Sequence, residues 1–490
     1  MFLHTLAHLG GRIFASLAGF IITMLITAKL GAAAMGVFGI YMVLQNFIAV
    51  LDGGMALTIN RAMAIGAGDT SPDADHLRLF RTYEWINLGI GAVFTVVAAI
   101  VLPQIIHHWS SQTTIENIHT IGLLFGAALG VKFMQMLYQN TLFGAHRHLD
   151  ANAVISLFAI TRILLIGGML IYGTDLCMVF ALFFGLNTLE LFGFIIACNR
   201  QGIWHLRTRP DFSLIKKYAS FMAPVSAYTI VALLIAQVDR IVVGHFISLE
   251  QFGAYSLVAG YAAGVAALSY APANVFYPTM TQAIHHADHT AAALAVRRVL
   301  NFILFLTFPA ALWVVFYGMD LSHLLFKDTA VGAMTAPLWP PLFLACAISV
   351  LSVIPYKIFL AHQMPKLILK VNAIALIFYI ALLVGSLMIL KYPAGLMILP
   401  PLATIPLSLY LFYLARIGET EQHFVQQILL RSTATAAALS VFYMLAHTIS
   451  AYAPRPLWQN LFALGWPPAV AALAYGSYIW HWRAREDSNL

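Results

Sequence analysis

The chain has 490 residues, of which 61% are hydrophobic and 9% charged, with a mean hydropathy of +0.84 and a formal net charge of +7. A soluble domain carries roughly 25% charged residues, so the composition excludes a water-soluble globule and fits a chain whose surface is mostly covered by lipid. The excess positive charge does not signal nucleic-acid binding, because the basic residues sit in short loops between apolar runs and no aromatic-basic surface module accompanies them.

An apolar run of about 20 residues crosses a hydrocarbon core about 30 Å thick as a helix rising 1.5 Å per residue. On that criterion the sequence holds fourteen spans, at 13–30, 36–59, 84–107, 118–143, 151–172, 175–199, 218–242, 253–277, 299–321, 334–360, 367–390, 394–416, 427–449 and 459–482. The first run, preceded by Arg12 and followed by Gly31-Ala32-Ala33-Ala34, imitates a secretory signal peptide. A second apolar stretch, Val37 to Ile59, follows at once. Removal of the first run would leave an odd number of spans, so it is expected to remain as a membrane helix.

Orientation follows from Lys and Arg. Eighteen lie in one alternating set of loops or at its edges, whereas the other set holds only Lys29, Lys327, Lys391 and Arg455. The basic side is expected to be cytoplasmic, which puts both termini there and the protein in a bacterial inner membrane. The loops are too short to hold a folded extramembrane domain. Cys177, Cys198 and Cys346 lie in or beside apolar runs and form no C-x-x-C pair, so they read as small hydrophobes rather than disulfide partners or zinc ligands. No H-E-x-x-H occurs, the pairs His107-His108 and His285-His286 fall at helix ends, and no metal or other cofactor is expected.

The second half of the chain echoes the first. Ala28-Lys29-Leu30-Gly31 leads to Met35-Gly36-Val37-Phe38-Gly39-Ile40-Tyr41, and Gly244-His245-Phe246-Ile247 leads to Gln251-Phe252-Gly253-Ala254-Tyr255-Ser256. Gly36 aligns with Gly253 and Phe38 with Tyr255. The offset is six spans, an even number, so the two halves insert the same way up. The expected architecture is an all-α polytopic membrane protein with two pseudo-symmetric six-helix lobes, 1–199 and 218–416, joined by a basic linker at 200–217. The two extra spans and a short tail occupy 417–490.

The segment from Gly11-Arg12 to Leu51-Asp52-Gly53-Gly54, the run Gln237-Val238-Asp239-Arg240-Ile241-Val242-Val243-Gly244 with Phe252-Gly253-Ala254-Tyr255, and Val275-Phe276-Tyr277-Pro278 together carry a family resemblance. They resemble the polysaccharide-transporter and oligosaccharide-flippase family of the multidrug/oligosaccharidyl-lipid/polysaccharide exporter superfamily. The resemblance implies a two-lobe transporter working by alternating access. Its usual cargo is a polyprenyl-pyrophosphate-linked oligosaccharide moved from the cytoplasmic to the outer leaflet.

Ionisable residues deep in a bilayer cost about 2.5–3.5 kcal/mol on the insertion scale and so tend to face protein or a wet cavity. Arg162 lies twelve residues from Asp150, about 18 Å along a helix, Lys132 sits midway along the fourth span, and Glu190 is ten residues, roughly 15 Å, from Arg200. Lys132, Gln135, Gln139 and Asn140 share one helical face, as do Ser226, Thr229, Gln237 and Arg240, and Tyr41, Gln45 and Asp52. The expected substrate cavity is cationic: Lys132, Arg162 and Arg240 hold the phosphates, and Gln135, Gln139, Tyr41, Gln45 and Gln237 meet the sugar. Asp52, Glu190 and Asp239 are the candidates for proton or sodium coupling. Lys132, Arg162 and Glu190 would equally serve as an ion-pair network tying three helices together. Arg240 and Lys357 could snorkel to the interfaces.

The leading expectation is therefore a flippase for a sugar linked to a lipid, working among membrane lipids and alongside polysaccharide polymerase or export machinery. A cation-coupled multidrug antiporter is the alternative within transport, set back by the basic balance of the deep charges. A membrane glycosyltransferase or polymerase is the alternative from another class. The short external loops and the lack of a P-loop argue against an enzyme.

Overall fold

The computed structural model describes residues 2–66, 75–109, 116–200, 208–326 and 329–451, and among them the regular structure is helical throughout. The first half comprises α1 (Phe2–Leu51), α2 (Met55–Ile65), α3 (Asp75–Trp109), α4 (Ile118–Gly144), α5 (His148–Arg162), α6 (Gly168–Tyr172) and α7 (Leu176–Arg200). Then come α8 (Ser213–Phe246), α9 (Leu249–His285), α10 (His289–Phe302), α11 (Phe308–Phe326), α12 (Ala330–Thr335), α13 (Trp339–Ser349) and α14 (Val353–Ala361). The described part ends with α15 (Pro365–Leu390), α16 (Leu399–Leu414) and α17 (Glu419–Ala451). Among the described residues, ten segments are long and apolar enough to cross a membrane, and the chain is a multi-pass membrane protein.

Thirteen of the expected spans fall on this helical backbone. The fourteenth, 459–482, and the tail beyond it lie outside the described residues, as do the side chains of Arg12, Ser226 and Thr229. The structure redraws several boundaries. The first two spans form one element, α1, interrupted at Gly31 by a left-handed residue (φ 86°, ψ 177°) that a side chain would strain. The second span was expected to run to 59 but stops at Leu51. Gly53 and Gly54 take φ of 56° and 83°, and the Asp52 carboxylate accepts the Ala56 N–H at 3.0 Å, starting α2 as a separate helix.

Two further spans depart from regular α-helix. A π turn at Ile163–Gly167 joins α5 to α6, and another at Ile303–Thr307 joins α10 to α11. The expected helix at 334–360 is broken into α12, α13 and α14 by 3₁₀ turns at Ala336–Leu338 and Val350–Ser352. Pro337, Pro340 and Pro341 explain the first break, because proline removes the amide donors that α-helix needs.

Contacts divide the chain into two compact units, Met1–Leu257 and Val258–Leu490. In the first, α4 is central, packed on α3, on α7 and on α2, while α1 packs on α5. Glycines set the α3–α4 distance. A methyl group on Gly126 would stand 2.8 Å from the Thr95 carbonyl oxygen, and one on Gly130 2.8 Å from that of Gly91. Without water to drive helices together in lipid, such close backbone packing is the main source of cohesion. In the second unit α13 packs on α11 and α16, and α17 packs on α11. There Trp339 is buried against Gly318, where an added methyl would stand 2.3 Å from the Trp339 Cβ.

Candidate functional site

Lys132, Arg162 and Glu190 meet where α4, α5 and α7 converge beside α1. Arg162 is the last residue of α5, directly ahead of the π turn. A π turn is a costly irregularity that concentrates at functional positions. Glu190 and Asn187 project from α7 one turn apart, and Lys132 and Gln135 from α4 in the same relation.

Glu190, 2% exposed, sits between the two cations. The Arg162 guanidinium donates to it, and the Lys132 ammonium lies 3.7 Å away. The same guanidinium nitrogen donates to the Asn187 side-chain oxygen at 2.7 Å, and Lys132 donates to the Gln135 side-chain oxygen at 2.8 Å. Gln135 in turn donates to the Asn187 backbone oxygen at 2.6 Å. The Asn187 amide donates to the Ala128 carbonyl at 3.1 Å and at 3.5 Å to the hydroxyl of Tyr41. Tyr41 is fixed by the aromatic rings of Phe38, Phe125, Phe180 and Phe183, with centroids 5.3 to 5.7 Å away.

Two cations against one carboxylate leave the cluster with a positive charge. The cations are also its accessible members: the Lys132 side chain is 30% exposed and that of Arg162 15%. The Arg162 Nε–H is buried and has no hydrogen-bond partner among the described residues. This arrangement can present two donors of positive charge to an anion while the carboxylate holds them in place.

Five residues expected at the site thus come together: Lys132, Arg162, Glu190, Gln135 and Tyr41. Gln139 and Gln45 are half-buried and stand outside the hydrogen bonds just described. Arg240 is buried and donates to Gln237 at 3.1 Å, a pair of its own on α8. Asp239 accepts from the Tyr255 hydroxyl at 2.6 Å across α8 and α9. Asp52 caps α2.

Sequence reasoning passed over Asn187, which bridges the two cation-bearing helices. Its signal was position: it precedes Glu190 by three residues on one helical face. It also passed over a second cluster nearer the start of α3, where Glu84 takes bonds from Arg81 on its own helix and from the Tyr138 hydroxyl of α4.

Outside the membrane-spanning segments, two ion pairs and a hydrogen bond shape the basic ends. Arg78 pairs with Asp211 at 3.0 Å, and Lys217 with Asp75 at 2.6 Å. The Asp211 N–H donates to the Thr82 hydroxyl at 2.7 Å. The Ser213 hydroxyl and N–H, with Arg78 behind them, hold the Asp211 carboxyl below its usual range, and the Asp75 carboxylate raises the Lys217 ammonium.

A family model described as polysaccharide biosynthesis protein matches residues 29–329. No curated protein matches the sequence. The fold resembles that of the lipid II flippase MurJ in an inward closed conformation, with TM-score 0.64 and 13% identity over 98% of this chain and 99% of that one. It also resembles an inward-facing multidrug resistance MATE family transporter of the MOP superfamily, with TM-score 0.66 and 11% identity over 88% and 98% of the chains. The bent form of the Vibrio cholerae MATE transporter VcmN gives 0.56 and 14% over 87% and 97%. At such identities the likeness concerns the fold. The match of the family model over most of the sequence decides the family: the chain belongs to the polysaccharide biosynthesis protein family.

Proposed function

We propose that the protein is a flippase that carries a polyprenyl-pyrophosphate-linked oligosaccharide from the cytoplasmic to the outer leaflet by alternating access. It acts as a carrier, making and breaking no covalent bond, in a bacterial inner membrane with both termini cytoplasmic. The observation that carries this reading is the cationic excess deep in the first unit, where Lys132 and Arg162 share the single carboxylate of Glu190. A pyrophosphate brings at least two negative charges. It would draw Lys132 and the outer edge of Arg162 away from Glu190, and Gln135 and Tyr41 would meet the first sugar. Glu190, losing its partners, would then be the site for a coupling ion. Arg240, Gln237, Gln139 and Gln45 are proposed to line the path of the saccharide, with Asp239 and Asp52 as secondary ion sites.

The test is translocation of a fluorescent lipid-linked oligosaccharide in proteoliposomes. Lys132→Gln and Arg162→Gln should each abolish it with the protein still folded. Transport at the wild-type rate by both variants overturns the proposal. A second reading, a cation-coupled drug antiporter, is favoured by the buried carboxylate of Glu190 and by the likeness to MATE transporter folds. It makes the opposite demand: Glu190→Gln abolishes efflux of a cationic dye, while the two neutralised cations are tolerated.

A further inference from the structure

At the basic end of the first unit, α3 and the segment entering α8 form an open, shallow groove of about 490 Å³ lined by Trp85, Ile86, Pro210 and Phe212. The same two elements are tied together by the ionic contacts of Arg78 with Asp211 and Lys217 with Asp75, and by the bond from the Asp211 N–H to Thr82. Its two large walls face outward: Trp85 is 51% exposed and Phe212 57%. An aromatic residue at the end of a membrane helix sits at headgroup depth, where one edge is wet and the other apolar.

The charges around this groove do not cancel. Arg78, Lys217 and Arg81 are each matched by a carboxylate, Asp211, Asp75 and Glu84 in turn. Arg209, which immediately precedes the groove residue Pro210, and Lys216, one helical turn beyond Phe212, are exposed and form no ion pair among the described residues. An apolar trough with two uncommitted cations at its rim, at the level of the lipid headgroups, is complementary to a lipid with a negative headgroup. A zwitterionic lipid would leave the rim charge unmatched.

We propose that this groove is a selective site for one anionic phospholipid, with an acyl chain against Trp85 and Phe212 and the phosphate between Arg209 and Lys216. Binding there would brace the segment that leads into α8 against α3. The site is separate from the Lys132–Glu190–Arg162 cluster and stands or falls independently of it.

The experiment is a lipid titration of the full-length, detergent-purified protein by native mass spectrometry, with phosphatidylglycerol and phosphatidylcholine of matched chains. Wild type should bind one phosphatidylglycerol with about tenfold or greater preference, since each basic residue near a membrane surface adds roughly a factor of five. Arg209→Gln/Lys216→Gln should remove the preference, and Arg209→Lys/Lys216→Arg should keep it. Equal binding of the two lipids by wild type, or an undiminished preference in the neutralised variant, overturns the proposal. So does a polyprenyl phosphate that excludes phosphatidylglycerol from the groove. A second measurement uses phosphatidylglycerol with brominated chains to quench tryptophan fluorescence. Trp85→Phe should remove a saturable part of the quenching, and unchanged saturable quenching places the lipid elsewhere.

Discussion

Gly36 and Gly253, which occupy matching positions in the two sequence repeats, pack against each other. A methyl group on Gly253 would stand 2.0 Å from the Ala32 carbonyl oxygen and 2.7 Å from the Gly36 nitrogen, and one on Gly36 would stand 2.3 Å from the Leu249 carbonyl oxygen. The second half of α1 and the first turn of α9 therefore meet backbone to backbone. Ser256 continues the contact against Gly39, where an added methyl would come 2.5 Å from its hydroxyl.

This crossing admits no side chain. Gly253→Ala is expected to force the helices apart and to cost about 1–3 kcal/mol, the usual range for overpacking. Gly36→Ala should cost a similar amount. Once one substitution has parted the helices, the second should cost less than it does alone, so the double variant should fall short of the sum. Thermal unfolding in detergent, followed by fluorescence, measures all three.

Glu190 is the counter-charge for two cations, so its removal should be felt more than theirs. Glu190→Gln leaves Lys132 and Arg162 facing each other and should destabilise by about 3–5 kcal/mol, as when one member of a buried ion pair is lost. Adding Arg162→Gln should recover a large part of that loss. A double-mutant cycle on melting temperature decides it. Additive losses would mean that the two side chains do not interact.

Asn87 of α3 is fully buried, and neither its amide nitrogen nor its oxygen has a partner among the described residues. A buried amide with unmet hydrogen bonds costs about 1–3 kcal/mol. Asn87→Leu, close in shape and apolar, is expected to leave the melting temperature unchanged or raise it. A fall of several degrees would show that the amide is bonded within the folded protein.

The Asp211 carboxyl titrates below its usual range because Ser213 and Arg78 favour its charged form. Depression on folding means that its stabilising contribution is complete above the ordinary aspartate pKa of about 3.9 and is lost as pH falls through the lowered value. The gap in melting temperature between wild type and Asp211→Asn should therefore be constant from neutral pH down to about 5 and close on further acidification. A gap that widens in acid would reverse the sign of this coupling.

The one-dimensional pattern was enough for the spans, because a helix in lipid must satisfy its own backbone and a run of about 20 apolar residues announces it. It was also enough for the deep charges. Lys132, Arg162 and Glu190 stand out against apolar surroundings, and helical rise alone places them far from either end. The glycine motif repeated at Gly36 and Gly253 could be read as a correspondence between halves. That the two glycines touch could not, since alignment carries no distance.

What only the tertiary structure decided is which polar groups meet. Helical rise fixes the depth of a residue but not the direction in which its helix turns it. Arg162 and Arg240 were both expected to hold the phosphates, yet one joins Glu190 and Asn187 across helices and the other bonds within its own helix to Gln237. Most local breaks were equally hidden. Hydropathy is blind to hydrogen-bond register, so the π turn after Arg162 and the 3₁₀ turn at Val350–Ser352 left no trace in the apolar pattern, whereas the break at Ala336–Leu338 is marked by Pro337, Pro340 and Pro341. Composition and spacing therefore determined the membrane-spanning character and the depth of the charges, while the packing of α4, α5 and α7 determined which of those charges meet.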